Sequence, residues 1–170
     1  SGNGNWYALA ADATGQKVYA AQSTGPIKVS SDGGQSWTTA SPAADNWRGL
    51  ASSASGQMAV AVALSGSMVK TDDGGATWTP VSATPGVYLE RAAISNDGQA
   101  ILVARDGPAP GVYLSTNGGT TFNRISGLLG GGEWWSVAMS ANGQKMVATQ
   151  NASIGSNAIV VSTDGGANWA

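Results

Sequence analysis

The sequence contains no cysteine and no histidine. Without cysteine there is no disulfide framework and no thiolate metal site; without histidine the commonest general base and metal ligand is missing. Zinc-hydrolase, papain-like and Ser-His-Asp chemistries are excluded together. Charge is scarce as well: Asp, Glu, Lys and Arg make up 11% of the 170 residues, against roughly 25% in an average soluble domain. Eight scattered basic residues against ten acidic ones leave a net charge of −2 and no electrostatic footprint for nucleic acid. No apolar run approaches the roughly 18 residues that cross a bilayer, so neither nucleic acid nor membrane insertion is expected. No cofactor and no metal is expected either. Leu, Ile, Val and Phe number only 28, a share below the roughly one-fifth typical of packed chains. The chain holds instead 28 Ala, 25 Gly, 20 Ser and seven Trp. A near-zero net charge and this many tryptophans argue for order, and the length suits one domain with a real core.

Four segments share one pattern. They are Ser30-Ser31-Asp32-Gly33-Gly34-Gln35-Ser36-Trp37, Thr71-Asp72-Asp73-Gly74-Gly75-Ala76-Thr77-Trp78, Ser115-Thr116-Asn117-Gly118-Gly119-Thr120-Thr121-Phe122 and Ser162-Thr163-Asp164-Gly165-Gly166-Ala167-Asn168-Trp169. Their aromatics are spaced by 41, 44 and 47 residues. A Gly-Gln pair keeps step at Gly15, Gly56, Gly98 and Gly143, and an aromatic precedes each pair at Trp6, Trp47, Tyr88 and Trp134. Between these markers the hydrophobic period is two, with Val, Ile, Tyr and Thr bounded by turn residues. Unit one predicts strands over Trp6–Asp12, Lys17–Gln22, Ile27–Ser31 and Ser36–Ser41; units two and three repeat the course through Met58–Leu64 and Ala100–Arg105, then Met68–Thr71 and Val112–Thr116. Four short antiparallel strands per repeat of this length make the blade of a β-propeller. The expected fold is all-β: one domain over 1–170, with four four-stranded blades at approximately 6–41, 47–82, 88–126 and 134–170.

The repeated Ser-x-Asp-x-Gly-x-x-Trp pattern resembles the Asp-box, or BNR repeat, of sialidases, xyloglucan-degrading glycosidases, sortilin-type receptors and the photosystem II stability factor. The resemblance implies a propeller and marks a fold rather than an activity. The motif joins the third and fourth strands of each blade. Its glycines permit positive φ in a tight hairpin, and its carboxylate accepts hydrogen bonds from loop amides. Ser30, Asp32, Gly34 and Trp37 are thus expected to be structural, as are Thr71, Asp73, Gly75 and Trp78. The same holds for Ser115, Asn117, Gly119 and Phe122, and for Ser162, Asp164, Gly166 and Trp169. Asn117 supports this reading, because an amide keeps the local bond while losing the charge that an acid or a calcium ligand needs.

Chemistry is expected on the opposite face of the disc, in the second-to-third strand loops Gln22–Pro26, Leu64–Ser67, Arg105–Gly111 and Gln150–Asn157 and in the connections Ala40–Asn46, Val81–Val87 and Ser126–Glu133. These collect Asp45 and Asp106 and the candidate ligand-binding residues Trp47, Arg48, Tyr88, Glu90, Arg91, Arg105, Glu133, Trp134 and Trp135. Charged groups flanked by aromatics over a central axis suit a sugar or a peptide; the competing reading has the aromatics filling gaps between blades. A glycosidase is the catalytic alternative. Arg48, Arg91 and Arg105 with Tyr88 and Glu90 or Glu133 resemble the arginine cluster and Tyr–Glu pair of sialidases, but the Arg-Ile-Pro signature is absent. Xyloglucanases carry paired carboxylates on two larger propellers, whereas most acids here sit in turns. The favoured expectation is a non-catalytic module, extracellular or periplasmic, that binds carbohydrate or protein. The fourth unit stops soon after its turn, which leaves either a tight four-bladed ring or part of something larger. Association through the end blades, with two chains building an eight-bladed ring, is the third alternative.

Overall fold

The computed structural model describes residues 4–40, 42–128, 132–151 and 159–170, and among them it is all β. Ser41, part of the Ser126–Glu133 connection and most of the Gln150–Asn157 loop lie outside the described residues. The first sheet comprises β1 (Trp6–Ala11), β2 (Val18–Gln22), β3 (Ile27–Ser30) and β4 (Thr38–Thr39). The second holds β5 (Trp47–Ser52), β6 (Ala59–Ala63), β7 (Met68–Thr71) and β8 (Thr79–Pro80). The third holds β9 (Leu89–Ile94), β10 (Ile101–Arg105), β11 (Gly111–Ser115) and β12 (Asn123–Arg124), and the fourth β13 (Trp134–Met139), β14 (Met146–Gln150) and β15 (Ile159–Ser162). Every sheet is an antiparallel meander in chain order. In the fourth, Ala170 exchanges both backbone hydrogen bonds with Val161, at 2.8 and 3.0 Å, where the other sheets begin their outer strand.

The small residues follow from stacking sheet on sheet. β6 reads Ala-Val-Ala-Val-Ala and is buried on both faces. Ala59, Ala61 and Ala63 meet Tyr19, Ala21, Ile27 and Val29 of the first blade, while Val60 and Val62 meet Leu89, Ala92, Ile101 and Val103 of the third. The third seam joins Leu102, Ala104, Val112 and Leu114 to Trp134, Val137, Met146 and Ala148. There are thus three thin apolar seams rather than one central core. The innermost strands pack β1 on β5, β5 on β9 and β9 on β13, and the second strand of each blade packs on the first strand of the next. Among the described residues neither β13 nor β14 packs on β1 in this manner. Among the described residues the four-blade propeller is an open arc, not the tight ring that was one of the expectations.

The repeated turns show why their residue types recur. In the first, Ser30 Oγ donates to Asp32 Oδ1 at 2.7 Å and accepts from Gly34 N at 2.8 Å, while Asp32 Oδ1 accepts from Ser36 N at 2.9 Å. The bonds repeat around Asp73 and Asp164, and around Asn117, whose Oδ1 accepts from Ser115 Oγ and Thr121 N. Hydrogen bonds to the charged form hold the three carboxyls down at about 2. Gly33 and Gly34 both have positive φ, 69° and 89°, where a side chain would be strained. The first glycine of each turn donates to the carbonyl of Gln16, Gln57, Gln99 or Gln144. The two sequence markers keep step because their backbones are bonded.

Candidate functional site

Each innermost strand begins with the same irregularity. Pairing slips between Trp6 and Ala8, between Trp47 and Gly49, between Leu89 and Arg91, and between Trp134 and Ser136. A bulge leaves one residue outside the ladder and re-aims its side chain. The four residues so released are Tyr7, Arg48, Glu90 and Trp135, one per blade, all at the blade-connection end of the innermost strands. Tyr7 and Trp135 are exposed at 42% and 53%.

Three blades converge on the Tyr7 ring. The Arg48 guanidinium carbon lies 4.7 Å from its centroid and that of Arg91 lies 5.3 Å away, within range of cation–π attraction. Arg91 is fixed by Nη1, which donates to the Arg48 carbonyl at 2.6 Å and the Glu90 carbonyl at 2.7 Å. Gly49 makes this approach possible, since a Cβ there would sit 2.9 Å from Arg91 Cα. Among the described residues Arg48 Nε has no hydrogen-bond partner. Burial pushes the Glu90 carboxyl above its ordinary range; Arg48 and Arg91 pull it down, and Asp106 and Glu133 push it up again. The blade-connection end of the innermost strands therefore presents two guanidinium groups on the Tyr7 ring, the exposed Trp135 of the fourth blade, and a carboxyl that gives up its proton reluctantly.

The remaining candidates are placed differently. Trp47 and Trp134 are each only 1% exposed and fill seams between blades, which keeps them out of the axial mouth. Arg105 turns away to the Val87 carbonyl at 3.0 Å and the Tyr113 hydroxyl at 3.3 Å. Glu133 Oε2 accepts from Asn151 at 3.2 Å. Tyr88 is not the blade-start aromatic of the third unit: Leu89, fully buried, occupies the position of Trp47 and Trp134. Tyr88 precedes it at φ 63°, a positive φ shared with no other non-glycine among the described residues. Sequence reasoning missed Tyr7, the equivalent of Arg48 and Glu90, because it took only Trp6 as the aromatic marker of the first blade. The usable signal was a polar or aromatic residue directly after each buried blade-start residue.

A second concavity, about 590 Å³, lies under the 42–45 connection and is lined by Asp45, Trp47, Ser65, Ser67, Trp78 and Val81 among others. Among the described residues the indole nitrogens of Trp47 and Trp78 have no hydrogen-bond partner. Trp37 and Trp169 donate to the Gly34 and Gly166 carbonyls at 2.9 and 3.1 Å; Trp78 instead stands edge-on to Tyr19, with ring centroids 5.9 Å apart. Asp45 is held by Ser65 Oγ at 2.8 Å, so the cleft offers donors but no free acid.

The sequence matches no protein-family model and no curated protein. Solved structures do resemble it. YCF48 bound to D1 peptide superposes with a TM-score of 0.61 at 12% identity over 98% of this chain and 81% of that one. The GH74 xyloglucanase from Xanthomonas campestris gives 0.64 at 15% identity, over 98% of this chain and 38% of that one. A nidogen/laminin complex gives 0.73 at 15% identity, over 93% and 60%. The chain thus spans well under two thirds of the xyloglucanase it matches and most of YCF48. Likenesses at this level of identity show one thing, the β-propeller fold.

Proposed function

We propose that this chain is a non-catalytic binding propeller of the Asp-box class, whose axial mouth recognises a carboxylate-bearing peptide segment of a protein partner. One observation carries the reading: Arg48 and Arg91, from neighbouring blades, are gathered on the exposed ring of Tyr7 from a third. Two like charges held close repel, and an anion between them relieves that repulsion while gaining charge-assisted hydrogen bonds. Both arginines act on the Glu90 carboxyl, while burial raises it against their pull. The Tyr7 ring adds apolar area against the charges, and Trp135 adds an exposed ring at the same end of the fourth blade, the combination that anchors peptides. The D1 peptide bound by YCF48 and the laminin complex of nidogen are precedents for protein ligands on this fold. The Ser, Thr, Asn and Gly-rich, weakly charged surface supports a site of action outside the cytoplasm. Carbohydrate is the second reading, favoured by the half-exposed indole of Trp135, which offers a face for a pyranose ring.

The test is a peptide array of acidic segments with charge-reversed controls, run beside a glycan array, on the wild-type chain and on Arg48→Gln and Trp135→Ala. The proposal expects acidic peptides to bind, lysine-substituted controls not to bind, and Arg48→Gln to weaken binding at least tenfold. Binding that ignores Arg48, or glycan binding lost only with Trp135, contradicts the carboxylate reading.

A further inference from the structure

Among the described residues the chain carries both halves of a blade seam that it does not use. Every internal seam joins the forward face of one blade to the backward face of the next, and strand register gives equivalent positions. On the backward faces of blades two to four, Leu50, Ala92 and Val137 are 9%, 7% and 8% exposed; their equivalent in blade one, Leu9, is 69% exposed. Leu9 lines an apolar concavity with Trp6, Ala20 and Trp37. Trp6 and Trp37 are the equivalents of Trp47 and Trp78, which the first blade covers.

On the forward faces, Ile27, Met68 and Val112 are 0%, 2% and 0% exposed, whereas their equivalent in blade four, Ile159, is 72% exposed. Val161 is 43% exposed where Val29 and Leu114 are buried. Lysines mark the same relation. Lys17, just before β2, reaches across the first seam to the Gly74 carbonyl at 3.0 Å. Lys145 stands at the equivalent place before β14 and is exposed, and Gly33, the equivalent of Gly74, is exposed on blade one. The charge on the blade-one face is Lys28, whose ammonium lies 6.0 Å from the Trp6 ring centroid, its stem along the sheet.

We propose that these two end faces dock on each other between two copies of this chain, head to tail, in a two-fold ring. Blade four of one copy covers blade one of the other: Ile159 and Val161 enter the concavity of Trp6, Leu9 and Trp37, and Lys145 donates to the Gly33 carbonyl as Lys17 does to Gly74. The chain's own seams show that such a backward face is covered by a forward blade face of this composition, and among the described residues blade four supplies one without a partner. A heterologous contact closes when its rotation returns to the start, so two identical seams form at once. Trp135 of one copy then lies beside Tyr7 of the other, continuing the mouth.

The test is the mass of the 170-residue chain by light scattering at about 100 μM, for wild type, Leu9→Asp, Ile159→Asp, Lys145→Met and an equimolar mixture of the two aspartate variants. Wild type is expected at two copies and each aspartate variant at one, with melting temperatures close to that of the free wild-type chain, since both side chains are exposed. The mixture is expected to regain a two-copy species, because the Leu9→Asp chain keeps an intact blade four and the Ile159→Asp chain an intact blade one. Lys145→Met is expected to weaken the dimer several-fold without abolishing it. A monomeric wild type, a mass above two copies, a dimer that survives both aspartate changes, or a mixture that stays monomeric overturns the proposal.

Discussion

Replacing Tyr19 with phenylalanine isolates a single interaction across a seam. Tyr19 is fully buried between the first and second blades, and its hydroxyl donates to the Gly56 carbonyl at 2.6 Å. The ring stands edge-on to Trp78, an arrangement that phenylalanine keeps. The change therefore removes no packing and leaves one acceptor without its donor, which costs about 1–3 kcal/mol. In a protein of this size each kcal/mol moves the midpoint by about 2–4 °C, so the variant should melt some degrees below wild type. Urea unfolding followed by tryptophan fluorescence should show a lower midpoint at unchanged slope. Alkaline titration gives a second readout. Burial, helped by Asp73 and Asp12, pushes the Tyr19 phenol up to about 12. A folded pKa above the ordinary 10 contributes stability that is full below pH 10 and lost as the pH rises toward 12. That late phase in tyrosinate absorbance should vanish in Tyr19→Phe. A variant with the wild-type urea midpoint and an intact late phase would refute the seam as described.

The carboxyls of Asp32, Asp73 and Asp164 are held at about 2 in the fold, below their ordinary value, so their stabilisation is present above pH 4 and lost as the pH falls toward 2. The triple asparagine variant should unfold in acid with a flatter pH dependence across that window, measured by circular dichroism, as the natural Asn117 turn already lacks a titrating group. Glu90 has the opposite sign: its raised pKa means the charged form is disfavoured in the fold. Glu90→Gln should therefore raise the melting temperature at pH 7, with the gain shrinking as the pH falls toward the ordinary carboxyl value of 4.5 and absent below it, and should tighten binding of acidic peptides. Gly49→Ala should destabilise by about 1–3 kcal/mol through overpacking, because the new Cβ meets Arg91 Cα and Val62 Cγ2, each at 2.9 Å; calorimetry reads this directly.

Repetition made the fold legible. Four Gly-Gln pairs and four glycine-rich turns kept step in the sequence because Gly33, Gly74, Gly118 and Gly165 are bonded to the glutamine carbonyls. Runs such as Ile101–Ala104 read as strands and are buried on both faces. The site was legible only in part. Arg48, Glu90, Arg91 and Trp135 stood among the candidates, yet the sequence marks the bulged residue only once the buried blade-start residue before it is known. Trp47 therefore looked as available as Arg48, and Tyr88 stood in for Leu89. Arg105 was misleading because its reach to the Val87 carbonyl depends on the fold of the 86–88 segment. The open arc was beyond sequence too, since closure depends on the angle between blades rather than on their composition.

The central claim is that the repeats stack radially, so that bulged residues of successive innermost strands meet at one mouth. The most direct measurement is the set of nuclear Overhauser contacts and ring-current shifts of the Tyr7 side chain. The account predicts contacts from the Tyr7 ring to the side chains of both Arg48 and Arg91, residues of the second and third blades, and an upfield shift of their methylene protons that disappears in Tyr7→Leu. A Tyr7 ring that contacts only residues of its own blade would contradict it.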